Sequence, residues 1–200
     1  MGWSRPPAGC ASHRRYVDQT RFEAARESSE QLNAVIAEVD DAQWEAPSAC
    51  AGWRVIDVIA HLAALAHEAV EPPPPDPTAP SNRERYHDLR VDQRRGLSHA
   101  EVIDEWKHYG PRQLDLLEMA QQPPSADTPV EVPGLGTYPR HLLANTMAFN
   151  VFCHLRNDML APDGPLSIPR APLRPIVSWH LPSSSCSPVC RRCRDPNSPP

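Results

Sequence analysis

The sequence predicts an all-α protein, a four-helix bundle with long connections and a disordered Pro/Ser-rich C-terminal tail. Apolar residues recur with helical spacing in four separate segments of the 200-residue chain. Proline-rich runs separate these segments, and proline cannot continue a helix. No stretch alternates apolar and polar residues for long enough to build a sheet. Four helices in series, joined by two long connections, favour a bundle.

Composition divides the chain into three parts. Residues 1–15 are polar and aperiodic, so we expect them to be disordered, whereas residues 16–160 hold the predicted bundle. Residues 161–200 are rich in proline, serine and arginine, and we expect this tail to be mostly unpacked. The tail contains "CSPVCRRC", which we interpret as part of an unstructured segment rather than as half of a metal site.

The first two helices are placed by apolar spacing and by the breaks that follow them. The first runs from about Val17 to Val39. The second starts near Trp53 and runs to about Val70, where "EPPPPDPTAP" ends it. The charged segment "RERYHDLRVDQRRGL" comes next and is either a mobile loop or a short helix.

The third and fourth helices carry start signals. Ser98 and Glu101 form a capping box that opens the third helix, and a kink is expected at 110–111. Thr137 is a candidate cap for the fourth helix, which ends near Leu160. This helix is apolar on nearly every side, so we expect it to be buried.

Charge and apolar content narrow the class of protein. The net charge of −5 argues against a nucleic-acid partner, which usually requires a basic face. No apolar run is long enough to cross a bilayer, and the N-terminus lacks an apolar signal core. We therefore expect a cytoplasmic protein with neither a membrane nor a nucleic acid as its partner.

Polar residues interrupt the buried fourth helix on one side. Asn150, His154 and Asp158 follow one another at intervals of four residues, and buried polar groups need partners. On the second helix, His61 lies off the apolar centre, so periodicity alone predicts a surface or boundary position. The alternative is that His61 reaches into a cleft between helices, where it and the polar stripe would bind a metal ion.

The pattern W…C-x-GW-x-V-x-D-V-x-x-HL, from Trp44 to Leu62, resembles the N-terminal domain of mycothiol-dependent maleylpyruvate isomerases. That family belongs to the DinB-like four-helix bundle superfamily. "GLGTYPRHLLANTMAFNVFCHLRNDML" is similar to the last bundle helix of the same family. The resemblance covers residues 17–160 well and residues 161–181 loosely. It implies a DinB-like fold and an actinobacterial source.

The resemblance also implies a metal triad, made of a histidine on the second helix and a carboxylate and a histidine on the fourth. His61 and His154 match the two histidines, but Asn150 occupies the carboxylate position. An amide is a poorer ligand than a carboxylate, so weaker binding of a divalent metal, most simply Zn²⁺, is expected. Asp158 or Asp57 would then compensate, Asp57 by orienting the His61 ring.

Two functions follow from the resemblance, and both remain open. In the first, the metal activates mycothiol or a similar low-molecular-weight thiol, which attacks an electrophilic substrate in an isomerase or thiol transferase reaction. Maleylpyruvate itself is not favoured, because the family's isomerase also uses a C-terminal domain for which this chain has no room. In the second, the bundle is metal-free and catalytically inactive, and acts as a binding or dimerisation module, with a homodimer possible. A metal-independent small-molecule binder is a third reading.

The remaining histidines lie in polar or boundary positions of the sequence. We expect each of them to be solvated rather than bound to an ion; they are His67, His87, His99, His108 and His141.

Overall fold

The computed structural model describes residues 9–132 and 136–168, with side chains from residue 21 onward. Within these ranges the chain forms six α-helices and one β-hairpin, so the prediction of a mostly helical protein is confirmed. The helices are α1 (Gly9–Ile36), α2 (Asp41–Trp44), α3 (Val55–Val70), α4 (Arg83–Asp92), α5 (His99–Met119) and α6 (Leu143–Cys153). The strands are β1 (Pro129–Val132) and β2 (Gly136–Pro139).

Helix α3 lies at the centre of the fold. It packs along α5 and also contacts α4, while α1 packs along α6. Eleven of its sixteen residues are buried, including Val55, Ile59 and Leu62. Because α3 is covered on more than one side, its polar residues are enclosed as well as its apolar ones. This enclosure positions the candidate site.

The helix starts agree in part with the sequence. Ser98 caps α5, and its capping box with Glu101 is present as predicted. Helix α1 begins at Gly9, earlier than the predicted start at Val17, and so overlaps the segment 1–15 that was expected to be disordered. The charged segment after the proline-rich connection forms α4, whose first turn is capped by Asn82.

The entry to α6 differs from the prediction. Thr137 does not cap a helix, because it lies in β2 and pairs with Glu131 of β1. A 3₁₀ turn at Arg140–Leu142 follows the hairpin, and α6 begins only at Leu143. The prediction of no sheet was therefore wrong for this connection, although each strand is only four residues long.

Helix α6 continues directly into a π-helical turn, His154–Met159. The chain then folds back, so that Leu160 pairs with Leu166, and the Leu166 side chain is buried in the core. A Cβ atom added at Gly164 would lie 2.3 Å from the backbone carbon of Met159, so only glycine fits here without a shift. Residues 161–168 thus pack on the π-turn, while the tail from 169, with its three cysteines, lies outside the described residues.

Across the described ranges, every helix is too short or too polar to cross a bilayer.

Candidate functional site

His61 lies inside the fold rather than on its surface. Its side chain is only 2% exposed, so the position predicted by periodicity was wrong. Aromatic rings surround it: the centroid of the Trp53 ring is 5.2 Å away, that of His87 is 4.6 Å away and that of His154 is 4.9 Å away. The alternative prediction, a histidine that reaches between helices, describes what is found.

The polar stripe of α6 faces His61. Asn150 lies near the His61 ring and raises the pKa of that ring, as a hydrogen-bond acceptor does. His154 is 6% exposed, and its Nδ1 lies 2.7 Å from Oδ2 of Asp158. The π-turn brings Asp158 back to His154 one turn later. A carboxylate on Nδ1 fixes the ring and leaves Nε2 for another partner.

Asp57 has different partners from those expected. Its carboxylate accepts hydrogen bonds from the backbone N–H of Arg54 at 2.9 Å and from the Arg54 guanidinium at 2.9 and 3.2 Å. Arg95 lies 3.6 Å from the same carboxylate. Asp57 therefore holds the start of α3, and its measured contacts are with arginines rather than with the His61 ring.

His87 belongs to the cluster, which the sequence reading missed by treating it as solvated. It comes from α4, and its half-buried ring meets His61 at an interplanar angle of 49°. The sequence contained one signal for a buried His87, which is an apolar residue, Val91, in an otherwise charged segment. Val91 is four residues further along and is fully buried, so the two side chains share the face of α4 that points inward.

The other histidines have partners away from this cluster. His67 bonds to Glu105 at 2.8 Å, His99 to Glu45 at 2.7 Å and His141 to the carbonyl of Ala126 at 2.8 Å. His108 is exposed, as predicted.

Burial and nearby charges keep the rings of His61 and His87 neutral. Burial lowers the pKa of His61 well below 6.5, and the charges of His154, His87 and Arg83 lower it further, against the hydrogen bond from Asn150. Burial lowers the pKa of His87 to about 4, again with help from Arg83. At neutral pH both imidazoles therefore carry a lone pair that can bind a cation.

The donors suit a divalent metal in their chemistry. Neutral imidazole is a preferred ligand of Zn²⁺, and the Asp158 contact to His154 is the kind of support that metal-binding histidines have. In the described ranges, no three His, Cys, Asp or Glu side chains already converge closely enough to hold an ion. Two of the rings, those of His61 and His154, have centroids 4.9 Å apart, and their nitrogens are donors of the kind that such an ion takes.

The fold and the site together define a class of protein. The chain is mostly helical, and side chains from different helices bring imidazole rings together. This arrangement is typical of helical bundle proteins, which form ligand and metal sites from side chains on facing helices. A family model described as the mycothiol maleylpyruvate isomerase N-terminal domain matches residues 25–156, and the chain belongs to this family. Among curated proteins, none matches the chain.

Two solved structures resemble the chain. The crystal structure of the mycothiol-dependent maleylpyruvate isomerase matches with a TM-score of 0.52 and 20% sequence identity, over 68% of this chain and 58% of that one. A histidine-to-alanine mutant of that isomerase matches with a TM-score of 0.51 and 18% identity, over the same shares of the two chains. The chain thus spans 58% of the length of that enzyme, and the likeness shows the fold.

Proposed function

We propose that the chain is a thiol-dependent isomerase or thiol transferase module that binds a divalent metal between α3 and α6. His61 and His154 hold the ion beside Asn150, and mycothiol or a similar low-molecular-weight thiol binds at the open position. The substrate is a small electrophile. The observation that carries the proposal is the pair of buried imidazoles 4.9 Å apart, on two helical segments that are far apart in the sequence.

The chemistry that the ion supplies is the conversion of a bound thiol to a thiolate at neutral pH. The residues of the chain prepare the place for it. Asp158 fixes the His154 ring through Nδ1, and Asn150 fixes the His61 ring. The Trp53 ring stacks on His154 at 6.3 Å and shields that side of the cluster from water.

A positive charge faces the same space. Arg83 is half-buried at the start of α4, and its charge acts on both His61 and His87. A cation that disfavours protonated imidazole favours an anion in the same position. Arg83 therefore stabilises a thiolate, or an acidic group of the substrate, next to the ion.

The rival function is a metal-free bundle that acts as a binding or dimerisation module. The specific observation in its favour is the neutral amide of Asn150 beside the buried His61 ring, where an amide serves as a hydrogen-bonding neighbour and is a poorer metal ligand than a carboxylate. A chain of this kind would keep its fold and its oligomeric state when a chelator is added.

Cobalt substitution tests the proposal, because Co²⁺ reports its ligands by absorption. The full chain, without a His-tag, is dialysed against Co²⁺ and then titrated with mycothiol. S-methylated mycothiol, which cannot form a thiolate, is the matched control ligand. The expected result is about one Co²⁺ per chain. A sulfur-to-cobalt charge-transfer band should appear when mycothiol is added and should not appear with S-methylated mycothiol.

Two controls place the ion. His154→Ala removes a donor of the cluster, whereas His108→Ala removes an exposed histidine of α5. A chain with Cys186, Cys190 and Cys193 replaced by serine excludes binding by the tail thiols. The proposal is overturned if the parent binds no ion, or if His154→Ala retains it. Chelator-resistant dimers with no bound ion would establish the rival.

A further inference from the structure

We propose that a cavity between α1 and α5 binds a small carboxylate whose apolar body is about the size of a benzene ring. The cavity has a volume of about 150 Å³ and is lined by Ser29 and Asn33 of α1 and by residues of α5 that include Trp106 and Lys107. The histidine cluster, in contrast, lies between α3, α4 and the π-turn after α6. The two sites are therefore separate, and this inference does not rest on the proposed function.

The hydroxyl of Ser29 is the observation that points to a ligand. Ser29 is only 4% exposed, and its Oγ has no hydrogen-bond partner among the described residues. The neighbouring Ser28 shows the usual alternative, because its hydroxyl donates to the carbonyl of Ala24 at 2.8 Å. A buried hydroxyl without a partner destabilises a fold. A ligand that forms a hydrogen bond with Ser29 would remove this destabilisation.

Two further donors lie beside Ser29 and give the cavity a polar side. Asn33 is four residues further along α1 and so shares the face of Ser29. Its Oδ1 accepts a hydrogen bond of 2.8 Å from Nε1 of Trp106, which leaves the amide NH₂ group as a donor. Lys107 adds an ammonium group that is in no ion pair within the described ranges. Three donors, one of them charged, favour an anionic acceptor such as a carboxylate.

The other side of the cavity is apolar and suits a compact hydrocarbon body. Trp106, Pro111 and Leu114 line this side. The Trp106 ring is buried and held in place by its bond to Asn33. A Cβ atom at Gly110 would lie 3.4 Å from that ring, so glycine leaves room beside it. Because an apolar cavity of about 150 Å³ in another protein binds benzene, a single ring fits this volume.

The test uses benzoate as the probe and benzyl alcohol, which has the same ring but no charge, as the matched neutral probe. The full chain is labelled with ¹⁵N, and the indole N–H signals of its five tryptophans are followed by NMR. Loss of one signal in Trp106→Phe identifies that of Trp106. We expect benzoate to shift this signal with a dissociation constant of about 0.1–1 mM, because so small a ligand binds weakly. Benzyl alcohol should bind about 2- to 5-fold more weakly, because it cannot pair with Lys107.

Ser29→Ala and Ser28→Ala form a matched pair of variants. Ser29→Ala removes the hydroxyl without a partner, so benzoate affinity should fall about 10-fold while the unfolding midpoint is no lower than that of the parent. Ser28→Ala removes a hydroxyl that is bonded within α1, and it should bind benzoate like the parent. Lys107→Gln should lose about 2- to 5-fold in affinity, and Lys107→Arg should keep the parent's value.

Each outcome decides the proposal. A saturable shift of the Trp106 signal that weakens in Ser29→Ala and Lys107→Gln, but not in Ser28→Ala, supports it. A Trp106 signal that does not move at about 10 mM benzoate shows that the cavity takes water only, and overturns the proposal. A shift of the Trp53 signal in its place would put benzoate at the histidine cluster and overturn it too. Equal binding of benzyl alcohol, or equal binding of benzoate by Ser29→Ala and Ser28→Ala, refutes recognition of a carboxylate by these donors.

Discussion

Acidification of the metal-free protein gives a direct measure of how deeply the histidine cluster is enclosed. The change to compare is His87→Gln, which keeps a polar side chain but cannot take up a proton between pH 7 and pH 5. The folded state holds the pKa of His87 at about 4, because of burial and then of Arg83, and holds that of His61 well below 6.5. An unfolded histidine titrates near its usual pKa of about 6.5.

The sign follows from which state binds the proton. Below pH 6.5 the unfolded chain takes up protons that the folded rings refuse, so stability is fully present above that pH and is lost as pH falls towards the folded pKa values. Each pH unit in this window costs about 1.4 kcal/mol per histidine, or about 2 kcal/mol by pH 5. His87 is half-buried, so solvent screening reduces its share to about 1–1.5 kcal/mol. His61 is fully enclosed, and its lowered pKa acts in the same direction.

The assay is urea unfolding at pH 7 and pH 5 with a chelator present. The parent should lose stability as the pH falls from 7 to 5, and His87→Gln should lose about 1–1.5 kcal/mol less than the parent. Histidines outside the cluster are common to both proteins, so they cancel in the difference. Equal losses in the two proteins would refute the burial of His87 as the cause.

Other substitutions probe the supports of the cluster. Asp57→Ala removes a buried carboxylate and leaves Arg54 with Glu45 as its remaining carboxylate partner; since Arg54 is partly exposed, we expect about 2–3 kcal/mol of destabilisation in urea. Asp158→Asn weakens the support of His154, so Zn²⁺ affinity should fall about 10- to 100-fold in chelator competition with little change in the thermal midpoint. Trp53→Phe keeps a ring beside the cluster but loses the hydrogen bond to α4, and should cost about 1 kcal/mol in urea; an unchanged unfolding midpoint would show that this bond contributes nothing.

The strong helix signals in the sequence were predictive because they are local. Ser98 and Glu101 satisfy the first turn of α5 between themselves, so the capping box is legible without the rest of the fold. The prediction that Thr137 caps a helix was wrong because the structure at Thr137 depends on a strand from another segment of the chain. Strands of four residues are too short for a period-two pattern, and Thr137 lies opposite Glu131 because β2 pairs with a second strand, β1.

His61 was misplaced for a different reason. The apolar centre of α3, at residues such as Ile59 and Leu62, is buried in the core. The side that bears His61 is covered by α4 and by the π-turn, and polar residues form much of that cover. A helical-wheel analysis predicts burial from the positions of apolar residues alone. It therefore predicts that a helix face covered by polar residues, such as the face of α3 that bears His61, is exposed to solvent.

The burial of the histidine cluster therefore depends on α4, which is formed by a charged segment for which the sequence predicted either a mobile loop or a short helix. The charged run after the proline-rich connection forms α4, and its charges are used for attachment: Tyr86 and Arg90 contact Glu68, while Asp88 holds Trp53. A single fully buried residue, Val91, anchors this helix in the core. Exposed helices gain little from such contacts, but these polar contacts lie between packed elements, where hydrogen bonds fix geometry. Because α4 is attached to the rest of the fold mainly by polar contacts, the position of the His87 ring beside His61 depends on those contacts.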